Sequence, residues 1–165
     1  MKAGRKVGWM AAVGCILAAS ILAGCRQTAA GAEEPKATLY TIHASFVQME
    51  EEQTVLTSKE ALGQFSETHD GIAESEEFQN EVGKLGEEFF EENILLCAVV
   101  PGGSGAERYQ TEGLSYAADG TLQMNVTKTT EGTGIAEMSQ WYLLAVVPRD
   151  GLKSIPDTFS VVVGE

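Results

Sequence analysis

Apolar and polar residues alternate cleanly near residue 40. Tyr40, Ile42, Ala44 and Phe46 fall on one parity and Thr41, His43 and Ser45 on the other, which predicts a strand with one buried face. The stretch "TSKEALGQF" opens a helix: Thr57 and Glu60 match a capping box, and Leu62 and Phe65 follow at helical spacing. A polar break, "SETHDG", comes next. In "SEEFQNEVGKLGEEFFEE" the residues Phe78, Val82, Leu85 and Phe89 form an i, i+4, i+7, i+11 stripe, which predicts a second helix. Gly83 and Gly86 each weaken that helix by about 1 kcal/mol relative to Ala, so the segment reads equally as two short helices.

Farther on, "NILLCAVVP" and "QWYLLAVVP" are apolar on both parities and too short to favour helices. Both read as strands covered on two faces. Between them, Asp119-Gly120 joins "ERYQTEGLSYA" to "TLQMNVTKT", a strong hairpin signal. In the second arm Leu122, Met124 and Val126 face inward and Gln123, Asn125 and Thr127 outward. In the first arm the apolar parity changes at Gly113, which predicts a bulge. "EGTGIAEMS" reads as a glycine-bearing loop, and "FSVVVG" as the last strand. The order is one strand, one or two helical segments, then five strands joined mainly by short turns. It predicts an α+β fold with a largely antiparallel sheet, arranged either as two layers or a sandwich or as a single sheet backed by the helices.

The N-terminus follows a different pattern. Lys2, Arg5 and Lys6 precede an uncharged apolar run from Val7 to Leu22, the layout of a secretory signal. It ends in "LAGC", Leu22, Ala23, Gly24 and Cys25, which resembles the lipobox of bacterial lipoproteins. That resemblance implies a diacylglyceryl group on the Cys25 sulfur, cleavage just before it, and a protein held at the extracytoplasmic face of the cell membrane. The expected organisation is a signal peptide over 1–24, lipidated Cys25 and a tether over 25–36, and a single domain over 37–165. A flexible tether of this length reaches roughly 18 Å. Asn125-Val126-Thr127 matches a glycosylation sequon, which in a bacterial lipoprotein is accidental.

Cleavage would leave 141 of the 165 residues, enough for one domain with a real core. Losing Lys2, Arg5 and Lys6 with the signal takes the formal charge from −13 to −16. A body so acidic lacks the basic footprint of a nucleic-acid binder and is repelled by an anionic membrane surface. Cys15 leaves with the signal and Cys25 carries lipid, so Cys97 remains alone within "ILLCAVV", and no internal disulfide forms.

From about Val55 onward the layout is similar to the PrcB-like protease-complex lipoproteins. The shared features are a "TSKEAL" helix start, "EENILLCAVVPGGSG" running into a glycine turn, a hairpin, and the strand "MSQWYLLAVVPRDG". The family often has a Gly-Tyr pair after the glycine turn, whereas here Tyr109 follows Arg108. The resemblance implies a non-catalytic domain that binds or steadies another exported protein, a protease among the candidates, and it offers no catalytic residues to carry over.

Residue chemistry points the same way. "GGSGA" at Gly102–Ala106 suggests a nucleophile elbow at Ser104. However, the last glycine is missing, a strand follows instead of a helix, and both histidines precede the serine. His43 sits on the polar face of its strand and His69 in a loop beside Asp70, neither with a second ligand at metal spacing. Glu77, Glu81, Glu88 and Glu92 line one helical row, a solvated face suited to docking a basic partner; there is no EF-hand loop around them. Trp141 and Tyr142 point to opposite faces, one expected in the core and one exposed, where Tyr109 and Tyr116 would join it. The candidate interaction surface is therefore Tyr109, Tyr116, Trp141, Tyr142, Glu77, Glu81 and Glu88. No catalytic set, metal or cofactor is expected. The alternatives are a small-ligand or cell-wall-binding module and, behind it, a hydrolase.

Overall fold

A computed structural model describes residues 34–44, 50–132 and 139–164. The signal, the lipobox residues Leu22, Ala23, Gly24 and Cys25, most of the tether and most of the glycine-bearing loop lie outside the described residues. So do Ser45 and Phe46.

The domain is α+β, as its pattern predicts. Two strands, β1 (Thr38–Ala44) and β2 (Glu52–Leu56), precede four short helices: α1 (Lys59–Thr68), α2 (Asp70–Ala73), α3 (Glu76–Glu81) and α4 (Glu87–Glu92). Five strands follow, β3 (Asn93–Gly102), β4 (Glu107–Tyr116), β5 (Leu122–Thr130), β6 (Ser139–Pro148) and β7 (Ser160–Gly164). They form an antiparallel sheet of order β1-β6-β3-β2 and a second sheet of order β4-β5-β7.

The two fully apolar strands, β3 and β6, lie side by side at the centre of the larger sheet, paired from Asn93 opposite Pro148 to Gly102 opposite Ser139. Each parity feeds a separate core. Leu95, Cys97, Val99, Tyr142 and Leu144 pack with Leu62, Phe65, Ile72, Phe78, Val82 and Phe90 of the helical layer. Ile94, Leu96, Ala98, Trp141, Leu143 and Ala145 pack with Leu114, Leu122, Met124 and Val126 of the second sheet. Both of the proposed coverings are therefore present, helices on one side and a sheet on the other.

Several local expectations shift. The helix cap is Ser58 rather than Thr57: its extended backbone aims Oγ at the Ala61 N–H, 3.1 Å away. Thr57 stands one residue too early, and its carbonyl instead accepts from the Arg149 guanidinium. The glycine-weakened segment divides into α3 and α4: the Val82 and Gly83 N–H groups both bond to the Phe78 carbonyl, and Gly86 starts the next helix. Phe90 is then buried while Leu85 and Phe89 pack at the margin. β2, an edge strand with apolar residues only at Val55 and Leu56, is not anticipated by the pattern.

The hairpin forms as expected. The Asp119 carboxylate accepts the Thr121 N–H at 2.9 Å, and Gly120 takes φ 90° in the turn. The register slips between Thr111 and Gly113, the expected bulge. β7 instead lies parallel to β5, Gln123 opposite Ser160 through Thr127 opposite Gly164. Arg149 ties the helical layer to the sheet: its Nε donates to the carbonyls of Phe90 and Asn93 at 2.9 and 3.3 Å.

Candidate functional site

Trp141 and Tyr142 point to opposite faces, but neither face is open. Tyr142 lies in the helix-side core, edge-on to Phe65 and His69 at 6.4 and 6.0 Å. Trp141 lies between the sheets, 5.9 Å from the Tyr109 ring, with exposed His43 tilted against it at 4.6 Å. Tyr109 is itself buried, and Tyr116 is half-buried with the Lys153 ammonium over its ring at 4.3 Å. Tyr109, Trp141 and Tyr142 are thus corrected from an exposed aromatic surface to core, because two covering layers leave β6 without a solvent face, while Tyr116 stays partly exposed.

The glycine turn is closed by its own groups. Glu107 accepts the Gly103 N–H at 2.7 Å and pairs with Lys128 at 2.8 Å, and the bond from Lys128 holds its carboxyl below the usual range. Ser104 Oγ accepts the Ala106 N–H, and its carbonyl accepts from Glu107, so this hydroxyl serves the turn. A strand follows it, not the helix a nucleophile elbow needs. Nearby, the buried Ser139 Oγ and Trp141 Nε1 have no hydrogen-bond partner among the described residues.

His69 is the largest departure from expectation. It is not in an exposed loop. It ends α1, 3% exposed, stacked on Phe65 at 4.1 Å. Nδ1 lies 2.7 Å from the Phe65 carbonyl, which only accepts, so Nδ1 carries the hydrogen. Nε2 then faces the Glu52 carboxylate of β2 at 3.3 Å. Glu52 lies on a different element 17 residues earlier, so sequence spacing offered no sign of the pair.

Cys97 is fully buried. Burial, helped by the Glu52 carboxylate, pushes its thiol well above the ordinary range. The folded protein is expected to leave Cys97 unreacted with a thiol reagent over hours and to label it fully once unfolded in urea. Rapid labelling under native conditions would contradict the burial.

The glutamate row is interrupted. Glu77 and Glu81 belong to α3, Glu88 and Glu92 to α4, and the turn between the helices breaks their common face. All four are exposed. No group of three or more His, Cys, Asp or Glu side chains placed for a metal occurs among the described residues.

The two flanks of the sandwich differ. On one, the edges β1 and β4 meet: the Thr111 N–H donates to Thr41 Oγ1 at 3.5 Å, with the two hydroxyls 3.4 Å apart. At the other ends of the sheet orders lie β2 and β7, each paired on one side only among the described residues. Val55 and Val161 are partly buried against the inter-sheet core, whereas Val162 and Val163 are 42% and 47% exposed. Glu50 and Glu51 are exposed just before β2, and Glu52 begins it. The run "SVVVG" reads from sequence only as the last strand; its exposure comes from its position at the rim. No family model, curated protein or solved structure matches the chain.

Proposed function

We propose that this protein is a membrane-tethered, extracytoplasmic lipoprotein, non-enzymatic, whose domain binds or steadies another exported protein. The observation that carries the reading is the β2/β7 flank, unsealed among the described residues, where an uncharged strand presents Val162 and Val163 to solvent. Soluble proteins blunt such edges with charge, proline or a covering element, and an edge left bare is a template for pairing. The "LAGC" motif at Leu22–Cys25 supports a lipid anchor, and the PrcB-like layout supports a partner within a protease complex. The acidic body favours a basic partner and fast, salt-sensitive encounter. Capture of the full-length tagged protein from intact cells tests the reading. A defined exported protein should co-purify in stoichiometric amount. Recovery of glycan fragments alone would overturn it in favour of a cell-wall module.

A further inference from the structure

We infer that the β7 edge takes up an extended, β-branched segment of the partner as a fourth strand of the β4-β5-β7 sheet, and that this segment is flanked by lysine or arginine. The inference rests on the partner-binding reading above and specifies its contact. Three observations converge. β7 is five residues long, has no charge from Ser160 to Gly164, and is unpaired on its outer side among the described residues. Its side chains alternate across the strand, so Val161 and Val163 share one parity. Val161 packs on the inter-sheet core while Val163 stays 47% exposed, and a further strand would extend that core over it. The third observation selects the occupant. The chain carries a formal charge of −13, and Glu50 and Glu51 stand exposed just before β2, so the body that presents this edge is acidic; Glu52 itself is turned to His69.

A second copy of this chain fits less well. Pairing β7 with β7 would bring two bodies of formal charge −13 before processing to one interface. A segment with β-branched residues at its centre and cations at its ends satisfies both features. Main-chain hydrogen bonds would supply affinity, alternate side chains against Val161 and Val163 the specificity, and the cations the long-range attraction.

The test uses the full chain and a synthetic peptide of alternating Thr and Val with two lysines at each end. Three companion peptides accompany it: one N-methylated at every second residue, one with glutamates in place of the lysines, and one scrambled. The lysine-ended peptide should bind saturably and slow amide exchange within 161–164. Binding should weaken at least tenfold with the N-methylated peptide, with the glutamate-ended peptide at low salt, and in the V162N/V163N protein. The N-methylated arm leaves the protein unchanged, so it decides the matter even if that variant folds poorly. Equal binding of the N-methylated peptide, protection elsewhere, or sedimentation as a dimer lost in V162N/V163N would overturn the inference. A natural partner captured equally well by V162N/V163N would sink the edge mode and leave partner binding standing. Protection of 161–164 by the peptide with no exported protein ever captured would do the reverse.

Discussion

On the lipobox reading, replacing Cys25 by Ser is expected to abolish uptake of a labelled fatty acid by the protein completely. The effect is all-or-none because the proposed attachment is a single bond. One acyl chain holds a protein only marginally, whereas two make a stable anchor, and a diacylglyceryl thioether at Cys25 would carry two. A serine oxygen does not receive that group, and since the proposed cut before Cys25 follows attachment, the variant is expected to keep residues 1–24 with their apolar run. Metabolic labelling and intact mass of the chain check this. If the Cys25→Ser protein still took up the label, or were cut at the same place, the reading of "LAGC" would fail.

Removing the Tyr142 ring is the largest expected change in stability. Tyr142 is 1% exposed on a central strand and faces Phe65 and His69 from the helical layer. Truncating a large enclosed ring costs about 3–5 kcal/mol, because the lost transfer energy adds to a cavity the neighbours only partly fill. For a domain of this size that lowers the melting temperature by on the order of 10–20 °C. Tyr142→Ala should show this in thermal and urea unfolding, while Glu91→Ala, on the exposed side of α4, should change stability by no more than about 0.5 kcal/mol. A loss below about 1 kcal/mol for Tyr142→Ala would mean that the helices do not close over β6.

Patterns that depend on one segment alone were readable. β3 and β6 announce themselves because both parities are apolar, and that same fact requires a layer on each side. The hairpin follows from Asp119-Gly120 and the bulge from the parity change at Gly113, since turn chemistry is local. What sequence left hidden was set by distant neighbours. β2 carries Glu, Gln and Thr because it is an edge strand, so it lacks the apolar signature of the strand it pairs with. His69 reads as polar loop until β2 brings Glu52 to its Nε2. Alternation says that Trp141 and Tyr142 face opposite ways, but nothing in it says that both sides are covered. Nor does parity carry direction: "SVVVG" has the same pattern whether it runs parallel or antiparallel to β5. The flank, open among the described residues, was hidden for the same reason, because a run of three valines does not say whether its strand is central or at an edge, and only the sheet order does.

That flank is proposed to hold another exported protein while the chain is leashed at the membrane. The most direct measurement places a photoreactive amino acid at Val162 in the producing cells, with a second position on α4, Glu91, as control. Illumination should join position 162, and not position 91, to one discrete exported protein. Cross-links from position 162 only to other copies of the chain, or none at all, would contradict the account.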